Sequence, residues 1–400
     1  MKVLMLGWEL PPHNSGGLGV ACYQMCKSLA SLGMEIDFIV PYTAEHNIDF
    51  MKVVPAKVNG ISSIEQVGSA YSSYQYTYQD GRTEQVGLFG QQTFYEQAVE
   101  EMATLGEFDI IHAHDWLTFR AAIRAKQISG KPLIVHVHAT EYDRAGGNSG
   151  NPLVEEIEYM GMMLADKIIA VSDYTKKVIC DKYRIPADKI EVVHNSLDMD
   201  EQPISSERNA YTYLEVMKSH GWRVVSNIGR LTIQKGLANL LQAMKLVMEQ
   251  APKTILLIVG SGEQYEELIR LAAALGIADR TLFVDFQRGQ KWRDAFAISD
   301  LFVMPSVSEP FGITPLEAIA FGTPVLISHQ SGVSEIIRNC LKVDFWDINV
   351  MADQIAAVVQ NDVLRDELHR QSYAEFSKMN WYSAAHRMKN LYEIEVGAAA

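Results

Sequence analysis

The chain has 400 residues, of which 48% are hydrophobic, and this is enough to bury more than one core, so two domains are expected. A formal net charge of −14 argues against nucleic acid or an anionic membrane surface as a main partner. The four cysteines form no disulfide framework, and the opening MKVLMLGWELPP predicts a strand and neither a signal peptide nor a membrane span, so a reducing, cytoplasmic location is expected.

Short apolar runs alternate with helix-length segments along the whole chain. Such Val, Ile and Leu runs are typical of buried parallel strands in βαβ units. The predicted strands cover residues 2–8, 36–40, 108–114, 132–138, 167–172, 190–196, 223–230, 254–260, 281–286, 300–306 and 323–328. The polar stretch 197–210 is predicted to be a linker. The pattern predicts an α/β fold of two doubly wound, Rossmann-like domains, 1–200 and 201–379, with a ligand in the cleft between them at the carboxyl ends of the strands.

The segment SAYSSYQYTYQDGRTEQVGLF (69–89) interrupts this rhythm. Tyr74, Tyr76 and Tyr78 alternate on one face before a turn at Asp80 and Gly81, which predicts a β-hairpin added to the first domain. A half-buried tyrosine face is the simpler interpretation, and a stacking platform for sugar rings is the alternative.

The stretch HNSGGLGV (13–20) follows the first strand and opens a helix. Gly16 and Gly17 would let backbone N–H groups approach a phosphate or a sugar at the helix N-terminus. A dinucleotide site is not favoured, because the G-x-G-x-x-G spacing is missing and Asp37 begins the second strand instead of ending it.

Two predicted strands end in His-x-His, in IIHAHDW (110–116) and IVHVHATEYD (134–143). Residues i and i+2 of a strand share a face, so His112 and His114, and likewise His136 and His138, could converge with Asp115 on a metal ion. Imidazoles and a carboxylate are ligand types that metal sites use. The alternative is that the inner histidines are hydrogen-bonded core and only those at the strand ends reach the ligand.

After the strand at 223–230, NIGRLTIQKG carries Arg230 and Lys235, two cations that suit a diphosphate, although a solvated basic loop is the simpler explanation. VGSGEQYEEL, with Gly260 and Gly262, is a further glycine turn that enters a helix. Asp198 and Asp200 resemble a metal-binding Asp-x-Asp, but they lie in the predicted linker and are interpreted as linker or capping residues.

The stretch SEPFGITPLEA (308–318) contains two glutamates. Thr314 as N-cap and Glu317 three residues later form a capping-box pattern, T-x-x-E, with Pro315 at the first helical position. Glu309 has no helix to cap, so a structural role is predicted for Glu317 alone.

Taken together, these motifs resemble the E-x7-E family of retaining, nucleotide-sugar-dependent glycosyltransferases (family 4-like) with the two-domain GT-B fold. SEPFGITPLEA, GRLTIQKG, GSGEQYEEL, VVHNSLD and PPHNSGGLG appear in the expected order and span nearly the whole chain. Within this family, the resemblance is greater to glycogen and starch synthases in three stretches, GWELPP, HAHDW and HVHATEYD. One departure is Asn14, where bacterial glycogen synthases usually carry the lysine of K-x-GGLG.

The resemblance implies a donor site in the second domain. Arg230 and Lys235 would hold the donor diphosphate, Glu317 would accept hydrogen bonds from the ribose hydroxyls, and Glu309 would bind hydroxyls of the transferred sugar. The rest of the implied donor-binding set comprises Gly16, Gly17, Gly260, Gly262, Phe311, Gly312, Ile313 and Thr314.

In the first, acceptor-side domain, the resemblance implies that Asp115, His138 and Glu141 contact the acceptor or the sugar, with His138 in the catalytic set. A C-terminal helix at about 380–400 would pack back on this domain, and 376–396 is predicted to be one helix with a bend near Trp381.

The implied reaction moves a hexose, glucose in the favoured case, from a UDP- or ADP-sugar to an α-glucan or oligosaccharide, with retention and without a metal or another cofactor. Alternatives are transfer to another glycan or to a small acceptor, a nucleotide-sugar epimerase, and a non-catalytic sugar-binding protein.

Overall fold

The computed structural model describes residues 1–14, 16–68, 71–198 and 209–399. They form two compact units. Unit 1 takes the described residues of Met1–Glu141, Ser149–Ser196 and Asn380–Ala400, and unit 2 takes those of Tyr142–Asn148 and Leu197–Met379. Within the described ranges, no helix combines the length and apolar character needed to cross a membrane.

The helices and strands have the following bounds. The first part of the chain forms β1 (Lys2–Leu6), α1 (Gly17–Ser31), β2 (Glu35–Val40), β3 (Lys52–Pro55), β4 (Ile61–Val67), β5 (Ser73–Tyr78), β6 (Thr83–Gly87), α2 (Leu88–Leu105), β7 (Ile110–His114), α3 (Trp116–Ser129), β8 (Leu133–Val137), α4 (Glu141–Arg144), α5 (Pro152–Leu164), β9 (Lys167–Ala170), α6 (Asp173–Tyr183) and β10 (Ile190–Val192). The second part forms α7 (Thr212–Ser219), β11 (Arg223–Ile228), α8 (Leu237–Gln250), β12 (Thr254–Val259), α9 (Tyr265–Ala274), β13 (Thr281–Val284), α10 (Gly289–Ala297), β14 (Leu301–Met304), α11 (Thr314–Ala320), β15 (Val325–Ser328), β16 (Leu341–Val343), α12 (Ile348–Gln360), α13 (Asp362–Phe376) and α14 (Trp381–Ala399).

The main sheet of unit 1 is parallel, with strand order β10-β9-β8-β7-β1-β2-β3. From β1 the chain moves outward through β2 to β3 and then returns to β7 on the other side of β1. The order therefore reverses between β1 and β7, and in such sheets the ligand binds beyond the carboxyl ends of the strands at this point. The loops that follow β1, β7 and β8 all lie at that edge.

The sheet of unit 2 is also parallel, with strand order β13-β12-β11-β14-β15-β16. Its order reverses between β11 and β14, so the loops after these two strands flank its switch point. The strand cores are nearly all buried, and α8 and α12 pack an apolar face against the sheet. The predicted α/β class with two doubly wound domains is confirmed.

A separate antiparallel sheet has the order β4-β5-β6. The hairpin predicted from the alternating tyrosines is therefore confirmed, with β4 as an unpredicted third strand. Tyr74 and Tyr76 are fully buried, and the Tyr76 hydroxyl donates to Gln91 Oε1. The stacking-platform alternative is wrong for these two rings, because no face is open to a sugar.

The C-terminal segment is two helices, since α13 ends at Phe376 and α14 begins at Trp381. The prediction of one bent helix across 376–396 is wrong. α14 belongs to unit 1, where Trp381 Nε1 donates to Gln24 Oε1 at 2.8 Å and Tyr392 Oη lies 2.5 Å from His112 Nδ1.

Candidate functional site

In unit 2, the loops after β11 and β14 are tied together at the switch point. The backbone N–H of Val307 donates to the Gln234 carbonyl at 2.8 Å, and Gln234 Nε2 donates to the Ser308 carbonyl at 2.9 Å. These bonds connect residues about seventy positions apart in the chain, and they set Lys235 beside Glu309.

Lys235 and Glu309 form a close ion pair, with Nζ 2.5 Å from Oε2. Ser306 Oγ donates to the same carboxylate oxygen at 3.0 Å, and Glu309 is only 8% exposed. A buried carboxylate needs this kind of compensation for its lost hydration. Among the described residues, the hydrogen bonds and the ion pair of this carboxylate all go to Oε2, so Oε1 can accept from a ligand hydroxyl.

The backbone of Glu309 is fixed as well. Its N–H donates to the Gln330 carbonyl at 2.8 Å, and its carbonyl accepts from Gly332 N–H at 3.0 Å. These bonds extend the β14–β15 pairing into the loop, as a parallel bridge between Glu309 and Ser331. The carboxylate is therefore presented from a rigid segment, which suits a binding group.

Arg230 is the second residue after β11, following Gly229, and it is exposed. In the part of the chain that the structure describes, its guanidinium makes neither a hydrogen bond nor an ion pair. A guanidinium at a switch point with all its donors available can bind two oxygens of a phosphate at once.

Glu317 does not have the structural role predicted for it. Thr314 is the first helical residue of α11, the N-cap is Ile313, and among the described residues no side chain caps this helix. The Glu317 N–H instead donates to the Ile313 carbonyl at 3.1 Å. The capping-box prediction is wrong because the turn begins one residue earlier than the pattern suggests.

Burial raises the pKa of the Glu317 carboxyl to about 8. Folding therefore retains a proton that the unfolded chain releases above about pH 4.5. The free energy of unfolding should fall as the pH rises from about 5 to about 8, because the native state must then carry a buried charge.

Substituting Glu317→Gln should remove this part of the pH dependence, since glutamine stays neutral. In thermal unfolding of the ligand-free protein, the Tm advantage of E317Q over the parent is expected to grow from pH 5 to pH 8. Glu249→Gln, at an exposed position of α8, is the matched control and should shift Tm equally at both values. A constant Tm difference for E317Q would contradict the raised pKa.

The other predicted donor residues of unit 2 lie on the same edge. Gly260 and Gly262 follow β12, and their loop is paired with the Arg230 loop through Leu231 N–H to the Ser261 carbonyl at 2.9 Å. Phe311 is buried, and its carbonyl accepts from Val333 N–H at 2.7 Å. The remaining residues are half-buried at the start of α11, namely Gly312, Ile313 and Thr314.

In unit 1, the predicted glycine turn lies after β1. Gly16 is the N-cap of α1 and Gly17 is its first residue. Asn14 Nδ2 donates to the Gly16 carbonyl at 2.9 Å, so the residue that replaces the expected lysine shapes the turn. Residue 15 lies outside the described part of the chain.

Asp115 holds the loop that carries His138. Its Oδ1 accepts the backbone N–H of His138 at 2.7 Å and of Ala139 at 3.3 Å. Asp115 has φ of +58°, an uncommon conformation for a residue with a side chain, and such strain clusters at functional sites. The family resemblance implies an acceptor or sugar contact for Asp115, which stays a prediction, and the structure adds this loop-holding role.

Glu141 begins α4 and is half-buried. Its backbone N–H donates to Glu158 Oε2 at 3.0 Å, and its Oε1 accepts from Asn151 N–H at 2.9 Å. The side chain therefore helps to fold the 141–151 segment.

The four histidines of the two His-x-His motifs form one cluster on a face of the unit 1 sheet. His114 Nδ1 lies 3.0 Å from His138 Nε2, and the rings of His136 and His138 stack at 4.1 Å. Burial lowers the pKa of His112 and of His138 to about 3 and that of the other two well below its usual range, so all four are neutral.

The prediction of a hydrogen-bonded core does not hold for His136. Neither of its ring nitrogens has a hydrogen-bond partner among the described residues, nor does Nε2 of His112.

Of the aspartates in the predicted linker, Asp200 lies outside the described residues, whereas Asp198 is described.

Two family models match the chain in succession. Residues 15–201 match the model described as Glycosyltransferase Family 4, and residues 216–375 match the model described as Glycosyl transferases group 1. The first range contains the glycine turn and the histidine cluster, and the second contains the Arg230, Lys235 and Glu309 loops.

Several curated proteins are similar over most of their length. An uncharacterized glycosyltransferase of Methanocaldococcus jannaschii is 29% identical over an alignment of 406 residues that covers 98% of each chain. A glycogen synthase of Mycobacterium tuberculosis is 26% identical, over 85% of this chain and 80% of the relative. A D-inositol 3-phosphate glycosyltransferase of a Nocardioides species is 25% identical, over 95% of this chain and 85% of the relative.

Solved structures share the fold. Sucrose-phosphate synthase from Thermosynechococcus elongatus matches with a TM-score of 0.74 at 18% identity, over 100% of both chains. The catalytic domain of starch synthase IV from Arabidopsis thaliana, bound to ADP and acarbose, matches with 0.70 at 17% identity, over 99% of each chain. An Anabaena protein in complex with UDP and glucose matches with 0.70 at 17% identity, over 98% of this chain and 99% of the other.

Proposed function

The chain belongs to the GT-B glycosyltransferases, with a family 4 domain followed by a group 1 domain, and from this premise we propose that it transfers glucose from a UDP- or ADP-sugar to an α-glucan or oligosaccharide with retention of configuration. The observation that carries the donor assignment is the Lys235–Glu309 pair at the switch point of unit 2, with the exposed Arg230 on the same loop after β11 as Lys235.

In this proposal, Arg230 and Lys235 bind the donor diphosphate and stabilise the negative charge that develops on the departing nucleotide. Glu309 accepts hydrogen bonds from hydroxyls of the transferred sugar, and Glu317 accepts them from the ribose. In unit 1, His138 contacts the transferred sugar, and the Gly16–Gly17 turn approaches the donor phosphates.

The proposed chemistry is front-face substitution. The bond from the sugar's anomeric carbon to the donor phosphate oxygen breaks through an oxocarbenium-like state, and the acceptor hydroxyl oxygen bonds to that carbon from the same face. The acceptor proton passes to the departing phosphate oxygen. The two cations supply the positive charge that the step needs, so the proposed transfer is independent of a metal.

The choice of an α-glucan rests on the similarity to glycogen synthase, and that of the donor on the bound nucleotides of two structural neighbours, UDP in one and ADP in the other. We place the reaction in the cytoplasm, since all four cysteines are free and therefore suit a reducing compartment.

A second candidate acceptor is a small phosphorylated polyol. It is favoured by the similarity to D-inositol 3-phosphate glycosyltransferases, which extends over 95% of this chain. This candidate changes the acceptor and leaves the donor assignment unchanged.

A donor-by-acceptor screen tests both. Purified protein is incubated with UDP- and ADP-glucose and their galactose, mannose and N-acetylglucosamine counterparts, against glycogen, maltooligosaccharides and inositol phosphate. We expect transfer to the glucan, with an α linkage detected by NMR from an α-linked donor. A β-linked product would contradict retention, product on inositol phosphate alone would select the second candidate, and no transfer from any donor would overturn the proposal.

A further inference from the structure

A thiol lies beside the outer end of the histidine cluster in unit 1. Cys22 comes from α1, which covers this face of the sheet, whereas His114 ends β7 and His138 follows β8. One ligand atom from each of the three residues lies within 4.8 Å of the other two. In the sequence they are far apart, so the fold alone assembles this set.

We propose that Cys22, His114 and His138 bind one Zn²⁺ ion and that the bound ion switches the enzyme off. A thiolate and two imidazoles are the donor set that zinc prefers, and three protein ligands leave a fourth position for water or an anion. The ring nitrogens of His114 and His138 already face each other at 3.0 Å, so small side-chain shifts suffice to place both on one ion.

The Cys22, His114 and His138 set, the outer set, is more accessible than a second, inner set of three histidines. Ligand atoms of His112, His114 and His136 also lie within 4.8 Å of one another, but all three residues are fully buried, and Nδ1 of His112 is bonded to Tyr392. In the outer set, His138 is half-buried at the strand-end edge, which gives an ion a route to the site.

The binding step replaces a proton by the metal. Zn²⁺ forms one bond to the Cys22 sulfur, whose proton goes to solvent, and one bond to a nitrogen of each imidazole. The backbone N–H of His138 donates to Asp115 Oδ1, so Asp115 holds His138 near the proposed ion site. The inhibitory part rests on the proposed function, because a zinc-bound imidazole can no longer contact the sugar.

Zinc binding is tested first, without substrates. Chelator-treated protein is titrated with Zn²⁺ by calorimetry, and with Co²⁺ in a spectrometer, where a thiolate–cobalt charge-transfer band reports the sulfur ligand. We expect one ion per chain and the charge-transfer band. Cys22→Ser should abolish the band and weaken Zn²⁺ binding at least about 100-fold. Cys26→Ser, one turn further along α1 and equally buried, is the matched control and should keep both.

The alternatives give different results. Unchanged binding in C22S together with loss in His112→Ala would put the ion in the inner set and overturn the proposal, as would no binding to the parent protein. Inhibition is measured separately, relative to each variant's own zinc-free transfer rate, and should be relieved by chelator and by C22S. Zinc binding with no effect on transfer would overturn the switch, and absence of any transfer would concern only the proposed function.

Discussion

Replacing Glu309 with glutamine, or Lys235 with alanine, is expected to lower kcat for transfer by about 10²–10³-fold, the usual cost of removing a charged group that acts on the reacting centre. Lys235 Nζ and Glu309 Oε2 lie 2.5 Å apart, so each side chain helps to position the other. Substituting one of them therefore also leaves the other without its ion-pair partner. Initial rates with the best donor and acceptor of the screen provide the measurement, and donor KM is expected to rise further for K235A, since the lysine is assigned to the diphosphate.

A control must separate catalysis from the general loss of a buried ion pair. Lys218 forms an ion pair with Asp300 in the same unit, at 3.2 Å, and the Asp300 side chain is only 3% exposed. This carboxylate also pairs with Arg223 at 3.5 Å and with Arg365 at 3.4 Å. It lies at the opposite edge of the sheet, because Asp300 precedes β14 and its Oδ2 accepts from Val224 N–H near the start of β11. Lys218→Ala should therefore lower Tm and leave kcat within about twofold.

Two results would contradict the donor assignment. One is a near-parental kcat in E309Q or K235A with a folded protein, shown by an unchanged circular dichroism spectrum. The other is an equal loss of kcat in K218A, which would trace the effect to stability and not to the site.

The parts of the fold that could be predicted from the sequence are those that local composition indicates. Continuous apolar runs marked most strands of both parallel sheets, and the polar or glycine-rich residues that follow them marked where each strand ends. Because parallel strands share their carboxyl edge, Arg230 and Glu309 could be assigned to one end of a sheet without knowing the strand order. The short edge strands β3 and β16 were missed, whereas β10 and β13, which are edge strands of the same length, were predicted. Both missed strands contain a lysine and only two of Val, Ile or Leu, so they do not form the continuous apolar run that marks a buried strand.

The contacts that position the site depend on tertiary structure and could not be predicted. Nothing local indicates that Gln330 and Gly332 bind the backbone of Glu309, or that Cys22 lies beside two histidines. The error at Thr314 has the same origin. A capping box requires its threonine to be the N-cap, outside the helix, but here Ile313 is the N-cap and Thr314 is already the first helical residue.

Substituting Gly262→Ala is expected to destabilise unit 2 by about 3 kcal/mol and to weaken donor binding at the same time. A Cβ at position 262 would lie 2.3 Å from the Leu231 carbonyl oxygen and 2.8 Å from its nitrogen. Those atoms are backbone, so the clash can be relieved only by changing the spacing between the loop after β12 and the loop after β11, which carries Arg230. Gly260→Ala should act in the same way, since its Cβ would lie 1.8 Å from the Gly229 carbonyl oxygen.

Gly276→Ala separates backbone clash from backbone strain. Gly276 has φ of +74°, and no atom of the described ranges lies within 4 Å of the position of a Cβ. Alanine there should therefore cost only the strain of the left-handed conformation, about 1–2 kcal/mol. Denaturant unfolding gives the loss of stability, and amide hydrogen exchange shows whether it lies in unit 2. Donor KM should rise in G262A and stay unchanged in G276A. If both variants lost the same stability and bound donor equally well, the close approach of the two loops would have no part in placing Arg230.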